Sequence, residues 1–287
     1  MVRFDGIPMR VISMKTSEFD TVKNKMQKAG FKNTITHFDA VNGKEKADEL
    51  RESGIVSIRA LCEIEKVITR EAHSSMPSWG GVGCYLSHET LWKEAADSKE
   101  GIIILEADAD PTVNAFVKST EAFNELQKHL NGLPSVLHIG FFFSIQNRVE
   151  KGLTKSVRVV SRLLGLSCYY ISPDGAKQLL RHSRPIEVQV DSYMGYCYLL
   201  NSDTLKAYQM NTPEVPQKQT GTTIQLKRVE DQAGSSTPQT NKNDIFVAFL
   251  AGGIIVTTIG LCIWNNQRQI GHTSSSSKTH SAKANAR

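Results

Sequence analysis

Three acidic residues follow directly on a run of large apolar residues near the middle of the chain. The run covers 102 to 105 and reads Ile-Ile-Ile-Leu, and the acids are Glu106, Asp108 and Asp110. A run that is apolar at every position is typical of a strand covered on both faces, and open α/β sheets bind ligands beyond the carboxyl ends of such strands. Carboxylates gathered there repel one another unless a cation shares them. The pattern therefore predicts a cation site.

The ligand type indicates which cation. Carboxylate oxygens suit Mg²⁺ or Mn²⁺, and such an ion usually completes its shell with water and substrate phosphates. Residues two apart in a strand point to the same side, so either Glu106 with Asp108 or Asp108 with Asp110 can direct two carboxylates at one ion. A metal-bound diphosphate is the most specific hypothesis that these residues allow. A solvated acidic turn after a strand is the alternative.

Strands and helices that alternate along the chain must position these acids. The further predicted elements are a strand at Met9 to Met14, a helix from Ser17 to Gly30, a helical stripe over 58 to 70, a helix from Leu86 to Asp97, and strands at Ser135 to Gly140 and Ser167 to Ser172. After the last strand, Ser172 can cap a helix and Pro173 can take its first turn. The alternation predicts an α/β fold, with a mostly parallel sheet flanked by helices.

Composition and charge exclude several classes of protein. The chain has 287 residues, 40% of them hydrophobic, which is enough to bury a core. Its formal net charge is only +5, with both signs mixed, so we expect no nucleic-acid partner. The five cysteines form no CxxC pair and no secretory spacing, which predicts free thiols in a reducing compartment.

The last quarter of the chain differs from the rest. Residues 245 to 264 carry no charge, and a helix of that length is about 30 Å long, the thickness of a bilayer's hydrocarbon layer. We therefore expect four parts: a globular domain over 1–225, a flexible linker over 226–243, a single transmembrane helix over 244–265 and a polar tail over 266–287. Lysines and arginines on the two sides of the span nearly balance, so they do not orient it. Since the start of the chain lacks the apolar core of a signal peptide, a cytosolic domain anchored by its tail is the simplest topology.

A second group of residues carries a family resemblance. The segment 79–95 reads WGGVGCYLSHETLWKEA, and an apolar strand with its acids follows it. Together they resemble the core signature of glycosyltransferase family 25, which includes lipopolysaccharide-biosynthesis and procollagen galactosyltransferases. That signature is written G-x-x-G-C-x-x-S-H, then an apolar strand, then E-D-D. Further segments at 38–43, 164–180 and 185–194 match other family motifs in order, so the resemblance spans about residues 9 to 225.

The resemblance implies a fold and an activity. The fold would be GT-A-like, with a Rossmann-type sheet. The reaction would transfer a hexose, with galactose or glucose favoured, from a UDP-sugar to a glycan, lipid-linked or hydroxylysine-type protein acceptor, with inversion by direct displacement. Asp191 would be the catalytic base, with Asp110 second. The metal, Mn²⁺ or Mg²⁺, would be held by Asp108, Glu106 and Asp110. Donor-binding residues would be Glu106, Gly83, Ser87, His88 and Asn42.

Departures from the family pattern keep a second function open. Ala107 replaces the middle acid of E-D-D, Ser13 replaces an asparagine near the amino terminus, and Asn42 replaces an aspartate. Arginines expected near Lys15 are missing as well. The alternative is therefore a catalytically inactive relative, a tethered membrane protein with a binding or structural role.

Individual motif residues also have structural explanations. His88 shares a helical side with Leu91 and Trp92, so a packed core histidine competes with a donor-pocket role. Cys84 is better explained as a small buried hydrophobe than as a nucleophile. The glycines at 80, 81 and 83 either let backbone amides approach a phosphate or shape a turn.

Overall fold

The computed structural model describes residues 1–68, 74–146, 153 and 156–218, all within the predicted domain of 1–225. The predicted linker, transmembrane helix and polar tail, at 226–243, 244–265 and 266–287, lie outside the described residues. Within the described ranges, no helix has both the length and the apolar character that crossing a bilayer requires.

Eight strands in the described part of the chain form one sheet. They are β1 (Met9–Ser13), β2 (Ile35–Asp39), β3 (Ile102–Glu106), β4 (Val136–Gly140), β5 (Phe143–Gln146), β6 (Val157–Leu164), β7 (Cys168–Ile171) and β8 (Ala207–Met210). Their order across the sheet is β2-β1-β3-β7-β4-β8-β6-β5. The pairings give β6 and β7 one direction and the other six strands the opposite one. The predicted α/β class with a mostly parallel sheet is therefore confirmed.

Helices cover both faces of this sheet. They are α1 (Thr16–Lys28), α2 (Ala47–Glu52), α3 (Ile58–Ile64), α4 (Trp79–Asp97), α5 (Ala115–Leu130), α6 (Pro173–Leu180) and α7 (Val190–Leu200). Buried residues of α4, α6 and α7 form one hydrophobic core with the sheet, and those of α1 and α5 form a second. The result is the three-layer arrangement expected of an α/β domain.

Strand β3 is central and buried on both faces. It pairs with β1 on one side and with β7 on the other. Ile102 and Ile104 pack into the core under α4, whereas Ile103 and Leu105 pack into the core under α1 and α5. All four side chains are at most 1% exposed, and each such burial contributes about 1.5–3 kcal/mol relative to exposure. The predicted buried strand is confirmed, and Glu106 lies at its carboxyl end.

Helix boundaries show where local patterns were misleading. Helix α4 begins at Trp79 rather than at Leu86, because the Ser78 hydroxyl accepts a hydrogen bond from the Gly81 N–H and starts the helix there. The glycines at 80, 81 and 83 are thus helical residues rather than a turn, and their approach to a phosphate stays a prediction. Helix α3 ends at Ile64, earlier than the predicted stripe, and Lys66 beyond it has a φ of 59°. By contrast, α6 begins as predicted, with Ser172 accepting from the Gly175 N–H and Pro173 in the first turn.

The segment 212–218 is hydrogen-bonded to residues 108–112, which follow β3. Backbone hydrogen bonds join Thr112 to Glu214, Asp110 to Pro216 and Lys218 to Asp108. The Glu214 side chain is 2% exposed and accepts hydrogen bonds from the side chains of Lys118, Thr112 and Thr212. Burial alone would raise the pKa of Glu214, but those hydrogen bonds outweigh it and hold the pKa below its usual value. A buried carboxylate therefore anchors the segment to α5.

This anchor predicts a pH-dependent loss of stability. Because the pKa of Glu214 is lower in the folded than in the unfolded protein, its stabilisation is present above the unfolded pKa and is lost as the pH falls. We expect Glu214→Gln to lower the free energy of unfolding by about 2–3 kcal/mol at pH 7, and by less at pH 4. Urea unfolding at the two pH values measures this, with exposed Glu121→Gln on α5 as the control. A Glu214→Gln variant as stable as the control at pH 7 would contradict the anchor.

Candidate functional site

A buried chain of hydrogen bonds ends on Glu106. The Trp92 indole N–H donates to the Tyr169 hydroxyl at 2.9 Å, and that hydroxyl lies 2.9 Å from His88 Nδ1. His88 Nε2 lies 3.2 Å from Glu106 Oε1. With an ionised Glu106, the consistent assignment has the Tyr169 O–H donating to Nδ1 and the Nε2–H donating to the carboxylate. Three core residues thus orient one acid.

The fold explains why these groups meet. His88 and Trp92 are four residues apart on α4, so their side chains share one face of the helix. Tyr169 lies on β7, the strand next to β3, and is fully buried together with His88. His88 is therefore packed in the core and contacts the acids through Glu106, and its role in donor binding stays a prediction.

The chain of hydrogen bonds predicts the effect of removing one hydroxyl. In Tyr169→Phe, the Trp92 N–H and His88 Nδ1 both lose their partner, which should cost about 1–3 kcal/mol in the free energy of unfolding. The ¹⁵N chemical shifts of His88 should also change, because its tautomer is no longer fixed. The matched control is Tyr170→Phe, which removes a hydroxyl that donates to the Glu100 carbonyl. If both variants leave the His88 shifts unchanged, the assigned chain is wrong.

Asp108 lies in an environment that disfavours a charged carboxylate. Burial, followed by the charge of Glu106, raises its pKa to about 6. Its Oδ2 accepts a hydrogen bond from the Gln217 side-chain amide, while its buried Oδ1 has no partner among the described residues. An unpartnered carboxylate oxygen next to a second carboxylate is the environment that a bound cation would relieve. Glu106 and Asp108 therefore fit a divalent ion with oxygen ligands.

The third acid of the candidate site, Asp191, lies on a different element, helix α7. It lies in the first turn of α7, where its carboxylate accepts hydrogen bonds from the backbone N–H groups of Gly165 and Ser192 at 3.2 and 2.6 Å. The same loop binds the end of β3, since the Glu106 N–H donates to the Ser167 carbonyl. Gly165 has a φ of 81°, which favours glycine at this turn.

The charges of all three acids act on one residue, Cys84. Burial and then the charges of Glu106, Asp191 and Asp108 raise the pKa of its thiol well above the ordinary value. The thiol is therefore protonated, which agrees with its interpretation as a small apolar residue and not a nucleophile. Cys62, Cys84, Cys168 and Cys197 are all free thiols, as predicted for the cysteines in the described part of the chain.

Asp110 is directed elsewhere. Its carboxylate forms an ion pair with Lys25 of α1 at 2.7 Å, on the side of the sheet opposite α4. Lys25 thus occupies the carboxylate that the predicted metal and base roles would use. Those roles stay predictions, and the geometry favours Glu106 with Asp108 over Asp108 with Asp110.

Three predicted donor-binding residues serve the local packing. Ser87 is buried, donates to the Gly83 carbonyl and accepts from the Val41 N–H. A Cβ on Gly83 would lie 2.3 Å from the Val41 carbonyl oxygen, so only glycine lets α4 approach this turn. The Asn42 side chain accepts from the N–H groups of Lys44 and Glu45. These contacts fix the turn over 41–45, and a role in donor binding stays a prediction.

Two contributors to the site were not predicted. Gln217 lies in a stretch poor in large apolar residues, which the sequence suggested was the edge of the domain. Only the lone Val215 between two prolines signalled that this stretch packs inside; it is fully buried. Tyr169 lies in the strand predicted at Ser167 to Ser172, and nothing in the sequence pairs it with His88.

Comparison with known proteins identifies the family of the chain. The family model described as glycosyltransferase family 25 (LPS biosynthesis protein) matches residues 7–194. The match covers about two thirds of the 287 residues and includes β3, the His88 region and Asp191. No curated protein matches the chain. Because the family model covers well over half of its length, the chain belongs to glycosyltransferase family 25.

Proposed function

We propose that this protein is a metal-dependent hexosyltransferase that takes galactose or glucose from a UDP-sugar. The observation that carries the proposal is the buried Oδ1 of Asp108, which has no hydrogen-bond partner in the part of the chain that the structure describes and lies beside Glu106 at the carboxyl end of a central strand. That edge is where open α/β sheets bind ligands. Family membership supports sugar transfer in general, and the metal and the UDP-sugar are our inference from the acids.

The donor side of the proposed site uses the acids after β3. A divalent ion such as Mn²⁺, when bound, offsets the negative charge that grows on the departing diphosphate. Asp108 would bind it through Oδ1, and Glu106 through the carboxylate that His88 orients. Gln217 holds the other oxygen of Asp108, so its carboxylate cannot rotate freely. Ala107 lies between the two acids and supplies no ligand.

The acceptor side of the proposed site uses Asp191. In a direct displacement, the acceptor hydroxyl oxygen bonds to the anomeric carbon while the bond from that carbon to the diphosphate breaks. The hydroxyl proton must pass to a base within hydrogen-bond reach. Asp191 is held by two backbone N–H groups and its charge reaches the same thiol as Glu106 and Asp108, which supports this assignment.

An exposed aromatic residue borders this acceptor side. Phe142 follows β4 and is 67% exposed, and its N–H donates to the Leu164 carbonyl. Its backbone lies beside Gly165, whose N–H binds Asp191. The apolar face of a pyranose ring can pack on such a side chain, so we favour a sugar acceptor. Attachment to a membrane through 244–265 is part of the proposal and rests on the uncharged stretch alone.

The second candidate function is a non-catalytic binding protein on the same fold. Two observations favour it: Ala107 replaces the middle acid of the family's motif, and Asp110 is paired with Lys25. In that case the site would keep its shape without turning over a donor.

One experiment separates the two functions. The full-length protein is incubated with UDP-galactose or UDP-glucose, with Mn²⁺ or with EDTA, and UDP release is measured. We expect UDP release that needs Mn²⁺, and a rise in thermal stability with UDP and Mn²⁺ together. If neither donor is turned over and UDP gives no stabilisation, the transferase proposal is wrong.

A further inference from the structure

Three side chains with metal-binding atoms meet behind the proposed donor site. Cys84 and His88 are four residues apart on α4 and so lie on one face of it, and Glu106 faces them from the end of β3. Cys84 Sγ, a His88 ring nitrogen and a Glu106 oxygen all lie within 4.8 Å of one another. Glu106 Oε1 and His88 Nε2 are already at 3.2 Å.

These separations are close to those around a tetrahedral ion. With metal distances of about 2.3 Å to sulfur and about 2.0–2.2 Å to nitrogen or oxygen, two ligands of one Zn²⁺ lie roughly 3.4–3.6 Å apart. The three atoms therefore need to approach by at most about 1.3 Å. Rotation of the Cys84 and Glu106 side chains can supply this, since both are partly exposed, whereas His88 is fixed in the core.

A supporting residue for the imidazole is already in place. A histidine that binds a metal usually donates its other ring N–H to an oxygen, which fixes the ring. The Tyr169 hydroxyl oxygen lies 2.9 Å from Nδ1 and already accepts from Trp92. A phenolic oxygen has two lone pairs, so it can accept from both rings when His88 takes the tautomer with Nδ1 protonated. His88 Nε2 is then free to bind a cation.

We propose that Cys84, His88 and Glu106 form a binding site for a thiophilic divalent cation of the Zn²⁺ class. Thiolate and imidazole ligands select such ions over Mg²⁺ and Mn²⁺. On binding, the Cys84 thiol releases its proton to water and the His88–Glu106 hydrogen bond is replaced by two bonds to the metal. The negative charges of Asp108 and Asp191, which also reach Cys84, attract the cation.

Cation binding at this site does not require sugar transfer, but the proposed cation site and the proposed donor site share one residue. Glu106 belongs to both, so a Zn²⁺ ion bound here would compete with the Mn²⁺ proposed for the donor. The inference does not rest on the proposed function, because its test reads metal binding and needs no nucleotide sugar.

Cobalt provides the test, since Co²⁺ bound to a thiolate absorbs in the near ultraviolet. We expect the full-length protein to bind one Co²⁺ per chain with a sulfur-to-cobalt charge-transfer band that Zn²⁺ removes. Cys84→Ser should abolish the band, and Cys62→Ser, which alters a partly exposed thiol on α3, should keep it. Absence of the band in the wild type, its survival in Cys84→Ser, or its equal loss in Cys62→Ser would each overturn the proposal.

A second measurement avoids any variant that fails to fold. The wild-type protein is treated with N-ethylmaleimide with and without Zn²⁺, and modification of each cysteine is followed by peptide mass spectrometry. Zn²⁺ should slow the modification of Cys84 and leave that of Cys62 unchanged. Equal rates at Cys84 with and without Zn²⁺ would show that its sulfur is not a ligand.

Discussion

Replacing Asp108 by asparagine is expected to lower Mn²⁺-dependent UDP release by about 10³-fold or more. The amide keeps the size of the side chain but loses the charge that would hold the ion, and no donor within the described ranges satisfies Oδ1. Glu106 alone would leave one carboxylate for the metal. Initial rates of UDP release at saturating Mn²⁺, and Mn²⁺ affinity by calorimetry, measure the two effects.

The same substitution should not harm the fold. Since the pKa of Asp108 is raised by burial and by Glu106, its ionised form destabilises the metal-free folded state above about pH 6. Asparagine carries no such charge, so the metal-free variant should be at least as stable as the wild type at pH 7.5. Asp20→Asn, an exposed acid on α1, is the matched control and should retain full activity. Undiminished UDP release by Asp108→Asn would exclude it as a metal ligand.

The sequence predicted the centre of the sheet best because local signals agreed there. Four consecutive apolar residues can be satisfied only if both faces are covered, and β3 has a core on each side. Ser172 and Pro173 predicted the start of α6 for a similar reason, since a cap depends on neighbours three residues away. The glycines that open α4 are different, because the sequence suggested either approach to a phosphate or a turn, and the structure places them in a helix. Gly83 packs there against Val41, and that contact cannot be read from the sequence.

The site shows the same limit more strongly. Glu106, Asp108 and Asp191 were found from a strand end and from a family resemblance. Their partners were not, because His88 with Tyr169 and Asp108 with Gln217 are separated by 81 and 109 residues. Such pairs depend on which strands become neighbours, and no periodicity encodes that. The pairing of Asp110 with Lys25 is likewise set by the position of α1, and a D-x-D spacing does not reveal it.

Stability and function oppose each other at this edge of the sheet. The charges of three carboxylates raise the pKa of the Cys84 thiol, and a buried oxygen of Asp108 has no partner among the residues that the structure describes. Neither feature stabilises the fold, because buried charge and unsatisfied polar atoms both cost free energy. The buried clusters around Glu89 and Glu214 are the opposite case, since each acid there is matched by cationic and hydroxyl donors. The contrast between matched and unmatched acids points to the end of β3 as the place where a ligand binds.

Replacing Asp191 by asparagine should separate chemistry from donor binding. If Asp191 takes the proton of the acceptor hydroxyl, sugar transfer should fall by about 10²–10⁴-fold, while the affinity for UDP with Mn²⁺ stays within about twofold. Asp108→Asn should instead weaken both. Transfer to an acceptor sugar such as methyl β-galactoside reports the first quantity, and calorimetry with UDP and Mn²⁺ reports the second.

The control for Asp191 must account for its place in a helix. An acid in the first turn of a helix stabilises it by about 0.3–1 kcal/mol, so Asp191→Asn loses that contribution at the start of α7 whatever its chemical role. Asp174→Asn removes an acid from the first turn of α6, where the side chain is 90% exposed. We expect a similar small loss of stability in both variants but a loss of transfer only in Asp191→Asn. Equal transfer rates in the two variants would assign Asp191 to the helix rather than to the reaction, and the base would have to come from another group near Cys84.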